Sequence, residues 1–491
     1  MTTHDIVAKL WNLCNILRDD GITYHQYVTE LTYLLFLKMA EETEKEETDH
    51  GVNIPRGLRW ADLKCQSGDK QLTFYRQMLI ALGEKGSERV QEIYANAQTF
   101  LKRPTNLKTL IDEIDKLDWY SARHEGLGDL YEGLLQKNAE EKKSGAGQYF
   151  TPRPLIDCMV ALVQPQPGEI VQDPAAGTGG FLIAADRHVK VLTKNLFDLP
   201  ESVAFFQRTR AFQGLELVQD AQRLGLMNLM LHGIEGPVHV GDALSPDGAG
   251  LDKADVILTN PPFGTKKGGG LPTRDDFTYP TSNKQLCFLQ HIYRGLKPGG
   301  RAAVVLPDNV LFEDGVGRDV RRDLMDKCDL HTILRLPTGI FYAQGVKTNV
   351  LFFTRGRPEK GKADKGNTPD VWIYDLRTGQ PPFGKTRPLT RAHFAEFEAA
   401  YGADPLGRAP RDDQGDQGRF RRFTREQIAA RGDNLDITWL REEGGGADTL
   451  PPPEVIAAEI VEQLRAALEE MEELTALLDP DAAASTAEAA E

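Results

Sequence analysis

Several features are missing from this 491-residue chain, and each absence removes a class of protein. No apolar run approaches the ~20 residues needed to cross a bilayer. The first residues, Met1-Thr2-Thr3-His4-Asp5, lack the basic segment followed by an apolar one that marks a secretory signal, so the expected compartment is cytoplasmic. The five cysteines, Cys14, Cys65, Cys158, Cys287 and Cys328, lie far apart and form no C-x-x-C pair. Reduced, mostly buried thiols are expected, with neither disulfides nor a metal site. A basic excess is also absent: the formal net charge is -15, which at first argues against a nucleic-acid substrate. Its distribution alters that. Residues 442–491 hold fourteen Asp or Glu and a single base, Arg465, which leaves the preceding body close to neutral. Such a body binds DNA locally, with a partner supplying much of the attraction for phosphate.

What is present divides by texture. Residues 1–140 read as an N-terminal helical domain: Leu10, Trp11, Leu13, Cys14 and Leu17 recur at helical spacing, and Tyr27, Leu31, Leu34, Leu35 and Met39 continue the pattern. Residues 141–440 alternate short apolar runs with helical segments, the pattern of an α/β domain on a parallel sheet. Seven strands are predicted, at 170–172, 213–217, 238–240, 256–259, 302–306, 332–336 and 349–354, followed by one further strand at 371–376. Helices are predicted at 184–196, 219–231 and 285–296, and residues 407–422, rich in Gly, Arg, Asp and Gln, read as a solvated loop. Gly and Pro clusters in 441–453 mark a linker. In residues 454–478, Ile460, Leu464, Ala467, Met471, Leu474 and Leu478 form a coiled-coil-like seam, to be buried on the parent domain or on a partner helix. Residues 479–491 read as a disordered acidic tail.

Two stretches carry chemistry. Asp173-Pro174-Ala175-Ala176-Gly177-Thr178-Gly179-Gly180-Phe181 follows the first strand and opens a helix, so its glycines allow a tight turn and close approach of a ligand to a helix N-terminus. A dinucleotide site is the competing interpretation, but the G-x-G-x-x-G spacing is absent and Asp173 would repel a pyrophosphate. Glu216 ends the second strand, where an acid binds ribose hydroxyls, and Asp242 follows the third, where it would accept a bond from an adenine amine. The fourth strand stops at Asn260-Pro261-Pro262-Phe263. An amide oxygen, a carbonyl held by rigid prolines and an aromatic platform together suit a planar amine.

Asp173–Phe181 with Asn260–Phe263 resembles the cofactor and catalytic motifs of S-adenosylmethionine-dependent amino-methyltransferases acting on DNA. Upstream, Gly147-Gln148-Tyr149-Phe150-Thr151-Pro152-Arg153 resembles the motif that in the N6-adenine subgroup contacts the methionine end of the cofactor. The helical start, Gly128-Asp129-Leu130-Tyr131-Glu132 and, more weakly, Asn434-Leu435-Asp436-Ile437 extend the resemblance to the modification (M) subunit of type I restriction-modification systems. It implies a Rossmann-like, seven-stranded methyltransferase domain that binds S-adenosyl-L-methionine. Cofactor binding then falls to Gln148, Tyr149, Phe150, Thr151, Asp173, Pro174, Ala175, Gly177, Thr178, Gly179, Gly180, Glu216 and Asp242.

The resemblance also implies methyl transfer to N6 of a flipped-out adenine, with Asn260, Pro261, Pro262 and Phe263 as the catalytic set. The expected partners are double-stranded DNA, a specificity (S) subunit that reads sequence, a second copy of M in a complex of two M chains with one S chain, and a restriction (R) subunit. Lys266 and Lys267, just beyond the catalytic set, are expected either to touch the DNA backbone or to lie in an inert loop. Cytosine C5 methylation is set aside, because no cysteine follows a proline to serve as its nucleophile. N4-cytosine or protein-glutamine methylation, and a non-catalytic DNA-binding scaffold, remain as alternatives.

Overall fold

The computed structural model describes residues 3–22, 24–44, 54–140, 150–264, 271–341, 346–357, 365–384, 387–440, 457, 460 and 461. The chain divides into two compact units, one formed by Met1–Thr151 with Pro165–Asp242 and the other by Pro152–Gln164 with Ala243–Glu491. Among the described residues no helix is long and apolar enough to cross a membrane. The five cysteines are free, and all but Cys65 are buried.

In the first unit, nine helices run between Thr3 and Glu140 among the described residues. The longest, Tyr24–Glu44, places Tyr27, Leu31, Leu34, Leu35 and Met39 in the core, as the helical spacing requires. Two buried tyrosines in this layer have polar partners: Tyr94 donates to the Tyr33 carbonyl at 3.0 Å, and Tyr131 Oη lies 3.0 Å from Thr32 Oγ1. Three parallel strands follow, β1 (Val171–Asp173), β2 (Phe212–Glu216) and β3 (Val238–Val240), in the order β3-β2-β1. The crossover from β1 to β2 contains the helices Gly180–Leu192 and Glu201–Thr209, and that from β2 to β3 the helix Gln219–Leu231. Parallel pairing requires such crossovers. Buried Arg223 donates to the carbonyls of Ile93 and Ala95, both at 2.6 Å, and so ties the last of these helices to the N-terminal layer.

The second unit carries β4 (Ala254–Thr259), β5 (Leu296–Pro307), β6 (Cys328–Arg335), β7 (Thr348–Arg355), β8 (Asp370–Asp375) and β9 (Phe420–Thr424). Their order is β4-β5-β7-β6-β8-β9. Two expectations are corrected here. The fold is mixed α/β with a central sheet, but the strands among the described residues number nine, not the seven expected of the domain. The sheet is also not purely parallel: β7 lies antiparallel between β5 and β6, and β9 pairs antiparallel with β8. The β6–β7 connection has no helical crossover among its described residues, which suits an antiparallel return. Strand β9 and the short 3-10 turn Gly415–Gln417 occupy the stretch expected to be a solvated loop. What that expectation missed is Phe420, buried with its ring 4.9 Å from Trp372 and 5.8 Å from Tyr374.

The segment Asn434–Ile437 docks on the second unit. Leu435 is buried, and Arg335 donates to Asp436 at 3.1 Å and to the Ile437 carbonyl at 3.0 Å. The coiled-coil-like helix 454–478, apart from Ala457, Ile460 and Val461, and the tail 479–491 lie outside the described residues.

Candidate functional site

The glycine turn between β1 and the helix Gly180–Leu192 belongs to the first unit. Asp173, almost fully buried at the end of β1, accepts the Ala175 N–H at 3.1 Å and so starts the turn. Ala176 N–H is held by the Leu215 carbonyl at 3.0 Å. Gly177 and Gly179 then adopt φ of +52° and +79°, where a side chain is strained. At Gly179 space adds a second reason: a Cβ there would come within 2.2 Å of Leu229 Cδ1. The turn delivers the chain to a helix N-terminus whose first N–H groups have no intrahelical acceptor.

Glu216 is brought to this turn. Its carboxylate accepts the N–H of Gly177 and that of Val218, both at 2.9 Å. Burial raises its pKa above the usual carboxylate range, and these backbone donors work in the opposite direction. The side chain expected to meet ribose hydroxyls therefore braces the glycine turn itself. A carboxylate oxygen accepts more than one bond, so the two tasks are compatible. The Glu216 carbonyl accepts the Gly241 N–H at 3.0 Å, which sets half-buried Asp242 just beyond the end of β3. Phe150 and Thr151 are half-buried, whereas Gln148 and Tyr149 lie outside the described residues.

Sequence reasoning missed two residues that serve this turn and one exposed side chain beside Glu216. Asn228, fully buried, donates to the Thr178 carbonyl at 2.9 Å. Gly225 lies so close that a Cβ would come within 2.8 Å of the Gly177 carbonyl. Both sit on Gln219–Leu231, whose helical periodicity was legible while its contacts were not. Leu217, next to Glu216, is 63% exposed although it follows a buried strand. Acids at strand ends, an accessible apolar side chain and a helix N-terminus make a donor set that fits a ligand with vicinal hydroxyls, a planar ring and a charged end.

A separate group in the first unit has the spacing of a metal site: ligand atoms of Asp129, Glu132 and His232 lie within 4.8 Å of one another. Arg187 already donates to Asp129 at 3.1 Å and to Glu132 at 3.4 Å, placing a cation there.

The tetrapeptide belongs to the second unit. Strand β4 pairs parallel with β5 up to Thr259, which is fully buried. The strand pairing ends there, leaving Asn260 half-buried, Pro261 buried, Pro262 exposed and Phe263 half-buried. Two prolines cannot extend the ladder, so the chain leaves the sheet with restricted φ. The Phe263 ring meets Phe341 edge-on, with centroids 6.5 Å apart and planes at 78°. Phe341, from the loop between β6 and β7, was not foreseen, because a single loop aromatic carries no periodic signal. Lys266 and Lys267 lie outside the described residues.

Comparison with known proteins gives the family. The N-6 DNA methylase family matches residues 122–443 and the HsdM N-terminal domain matches residues 6–114. The methylase subunit of the type I restriction enzyme EcoKI from Escherichia coli (strain K12) is 52% identical, with 96% of this chain and 95% of that protein covered. The crystal structure of the EcoKI M protein aligns with TM-score 0.57 at 48% identity, covering 96% of each chain. A chain from a structural study of complex assembly and conformational transition in the type I R-M system aligns with TM-score 0.72 at 30% identity, covering 97% of this chain and 99% of that one. This chain belongs to the family of methylase (M) subunits of type I restriction enzymes.

Proposed function

We propose that this chain transfers a methyl group from S-adenosyl-L-methionine to N6 of an adenine in double-stranded DNA, as the modification subunit of a type I complex. The observation that carries the proposal is the exit of β4 into Asn260-Pro261-Pro262-Phe263, with a second ring, Phe341, against Phe263. An adenine inside a duplex is out of reach of any side chain, so the base is taken out of the stack. Phe263 supplies the face on which it rests, and Phe341 supports that ring from its edge.

The N6 lone pair is delocalised into the ring and is a weak nucleophile. Acceptance of both N–H bonds, by the Asn260 side-chain oxygen and the Pro261 carbonyl, favours a pyramidal nitrogen whose lone pair points at the methyl group. Asn260 acts by position and electrostatics, and the amine proton passes to solvent without a strong base. The cofactor supplies an electrophilic methyl on a sulfonium. Its binding is assigned to the turn of Asp173, Pro174, Ala175, Gly177, Thr178, Gly179 and Gly180, together with Gln148, Tyr149, Phe150 and Thr151. Glu216 is assigned to the ribose, Asp242 to the adenine amine and Leu217 to the face of the cofactor's adenine ring.

The domain plan follows: helical residues 1–140, a methyltransferase region 141–440, a linker 441–453, a partner-binding helix 454–478 and an acidic tail. Choice of sequence is assigned to a separate specificity subunit that carries two M chains, with a restriction subunit joining for cleavage, all in the cytoplasm. The near-neutral body and the heptad seam support that dependence. The test is methylation of genomic DNA by the chain with and without its specificity subunit, with the modified base mapped. N6-methyladenine at defined sites, formed only with the partner, is expected. N4-methylcytosine, a methylated protein glutamine or failure to bind the cofactor in the complex overturns the proposal.

A further inference from the structure

The tetrapeptide Asn260–Phe263 is anchored on one side by β4, and on the other a buried amide holds the residue that follows it. Gly264, directly after Phe263, has φ +103°, and a Cβ there would meet open space. Glycine is therefore needed for the backbone turn and not for room. Gln285, 3% exposed in the first turn of the helix Lys284–Gly295, faces that peptide. With the amide oxygen toward Gly264, Gln285 accepts the Gly264 N–H at 2.8 Å and donates to the Gly264 carbonyl at 3.2 Å and to Asn283 Oδ1 at 2.5 Å. The reverse orientation sets like groups against one another, so hydrogen bonding selects this one. The Gly264 carbonyl also accepts the Lys284 N–H at 3.4 Å.

The amide is itself held in place. Asn283 caps the helix, accepting the Leu286 N–H at 3.2 Å. It donates to Glu313 Oε2 at 2.8 Å, and its own N–H reaches Thr281 Oγ1 at 3.2 Å. A buried primary amide left unpaired costs about 1–3 kcal/mol, so Gln285 and Gly264 constrain each other.

We propose that Gln285 is a positioning residue for methyl transfer: by gripping both polar groups of Gly264 it fixes the Phe263–Gly264 peptide and thereby the ring that receives the extruded base. This rests on the assignment of Asn260–Phe263 to catalysis. Gln285 touches neither base nor cofactor, so its loss acts on kcat more than on cofactor affinity. A misplaced contact of this kind costs roughly 10- to 100-fold in rate.

The experiment uses the full chain assembled with its specificity subunit on DNA containing its site. Gln285→Met keeps length and burial but removes the clamp, and kcat is expected to fall by that factor while cofactor Kd stays unchanged. Gln285→Glu decides independently if the first variant does not fold. As a carboxylate, Glu repels the Gly264 carbonyl and Asn283 Oδ1, whereas as a carboxylic acid it both donates and accepts. Its kcat relative to wild type is expected to climb as pH is lowered from about 8.5 to about 6. A wild-type kcat in Gln285→Met, equal loss of cofactor affinity and kcat, or a pH-independent ratio in Gln285→Glu overturns the clamp. Asn260→Ala is run in parallel: retained transfer there overturns the catalytic assignment itself, whereas its loss beside an unaffected Gln285→Met overturns the clamp alone.

Discussion

Asn260 and Glu30 illustrate two ways in which one buried or half-buried polar group sets a property of the chain. On the proposed assignment, replacement of Asn260 by Ala removes an acceptor for the amine as it becomes pyramidal, so methyl transfer is expected to fall by at least roughly 100-fold. Cofactor Kd, measured by calorimetry, is expected to remain near wild type. Glu30 is buried, accepts the Phe100 N–H at 2.6 Å and the Thr99 hydroxyl at 2.9 Å, and has a pKa pushed up to about 7, chiefly by burial. A folded pKa above the unfolded one means stability that is full below about pH 4.5 and is lost as pH rises through about 7. Glu30→Gln keeps an acceptor and abolishes ionisation. It is expected to raise Tm at about pH 8 by on the order of 2 °C and to change little at about pH 5, as read by thermal denaturation. At this scale the sequence was uneven as a guide. Asn260 and Phe263 announced themselves because a strand, two prolines and a ring stand in one line. Phe341 and Gln285 did not, since Phe341 meets Phe263 and Gln285 meets Gly264 through space, each from an element that has its own reason to exist.

Elements were most legible where one face is buried with a regular period. The helix predicted at 219–231 spans those residues, and β2, β3 and β4 fall within a residue or two of their expected bounds. Strand β9 was hidden because only Phe420 is fully buried while Arg421 and Arg422 form ion pairs with Asp416 and Asp370. Composition thus resembled a loop although one aromatic anchor sufficed. Phe420→Ala is expected to cost roughly 3 kcal/mol, seen as a lower denaturant midpoint, whereas a loop residue would cost almost nothing. The glycine turn makes the opposite case. Its residues and its tight turn were legible, but the packing that Gly179 permits, with room made for Leu229, was not. Gly179→Ala combines that clash with a strained φ of +79° and is expected to lower stability by about 1–3 kcal/mol and to weaken cofactor binding, both measurable by ligand-dependent thermal shift.

Over the whole molecule, the distribution of charge was legible in the sequence, whereas the division into units was the least accessible to sequence reasoning. The net charge of -15 reflects a terminal segment more than the body that carries the strands. The helical start and β1–β3 belong to one compact unit, and the buried guanidinium of Arg223 is one reason. The helix Gln219–Leu231 grips the carbonyls of Ile93 and Ala95 through Arg223 at one end of its reach and the Thr178 carbonyl through Asn228 at the other. It therefore works as a strut shared by two layers, and its consequence is reciprocal. Loosening the far layer is expected to disturb the glycine turn, and filling the turn with the proposed cofactor is expected to stiffen the far layer. Arg223→Met is expected to raise cofactor Kd although Arg223 is assigned no contact with the ligand. Saturation with cofactor is expected to slow hydrogen exchange at the backbone amides of residues 93–97 in the wild type, and that protection is expected to vanish in the variant.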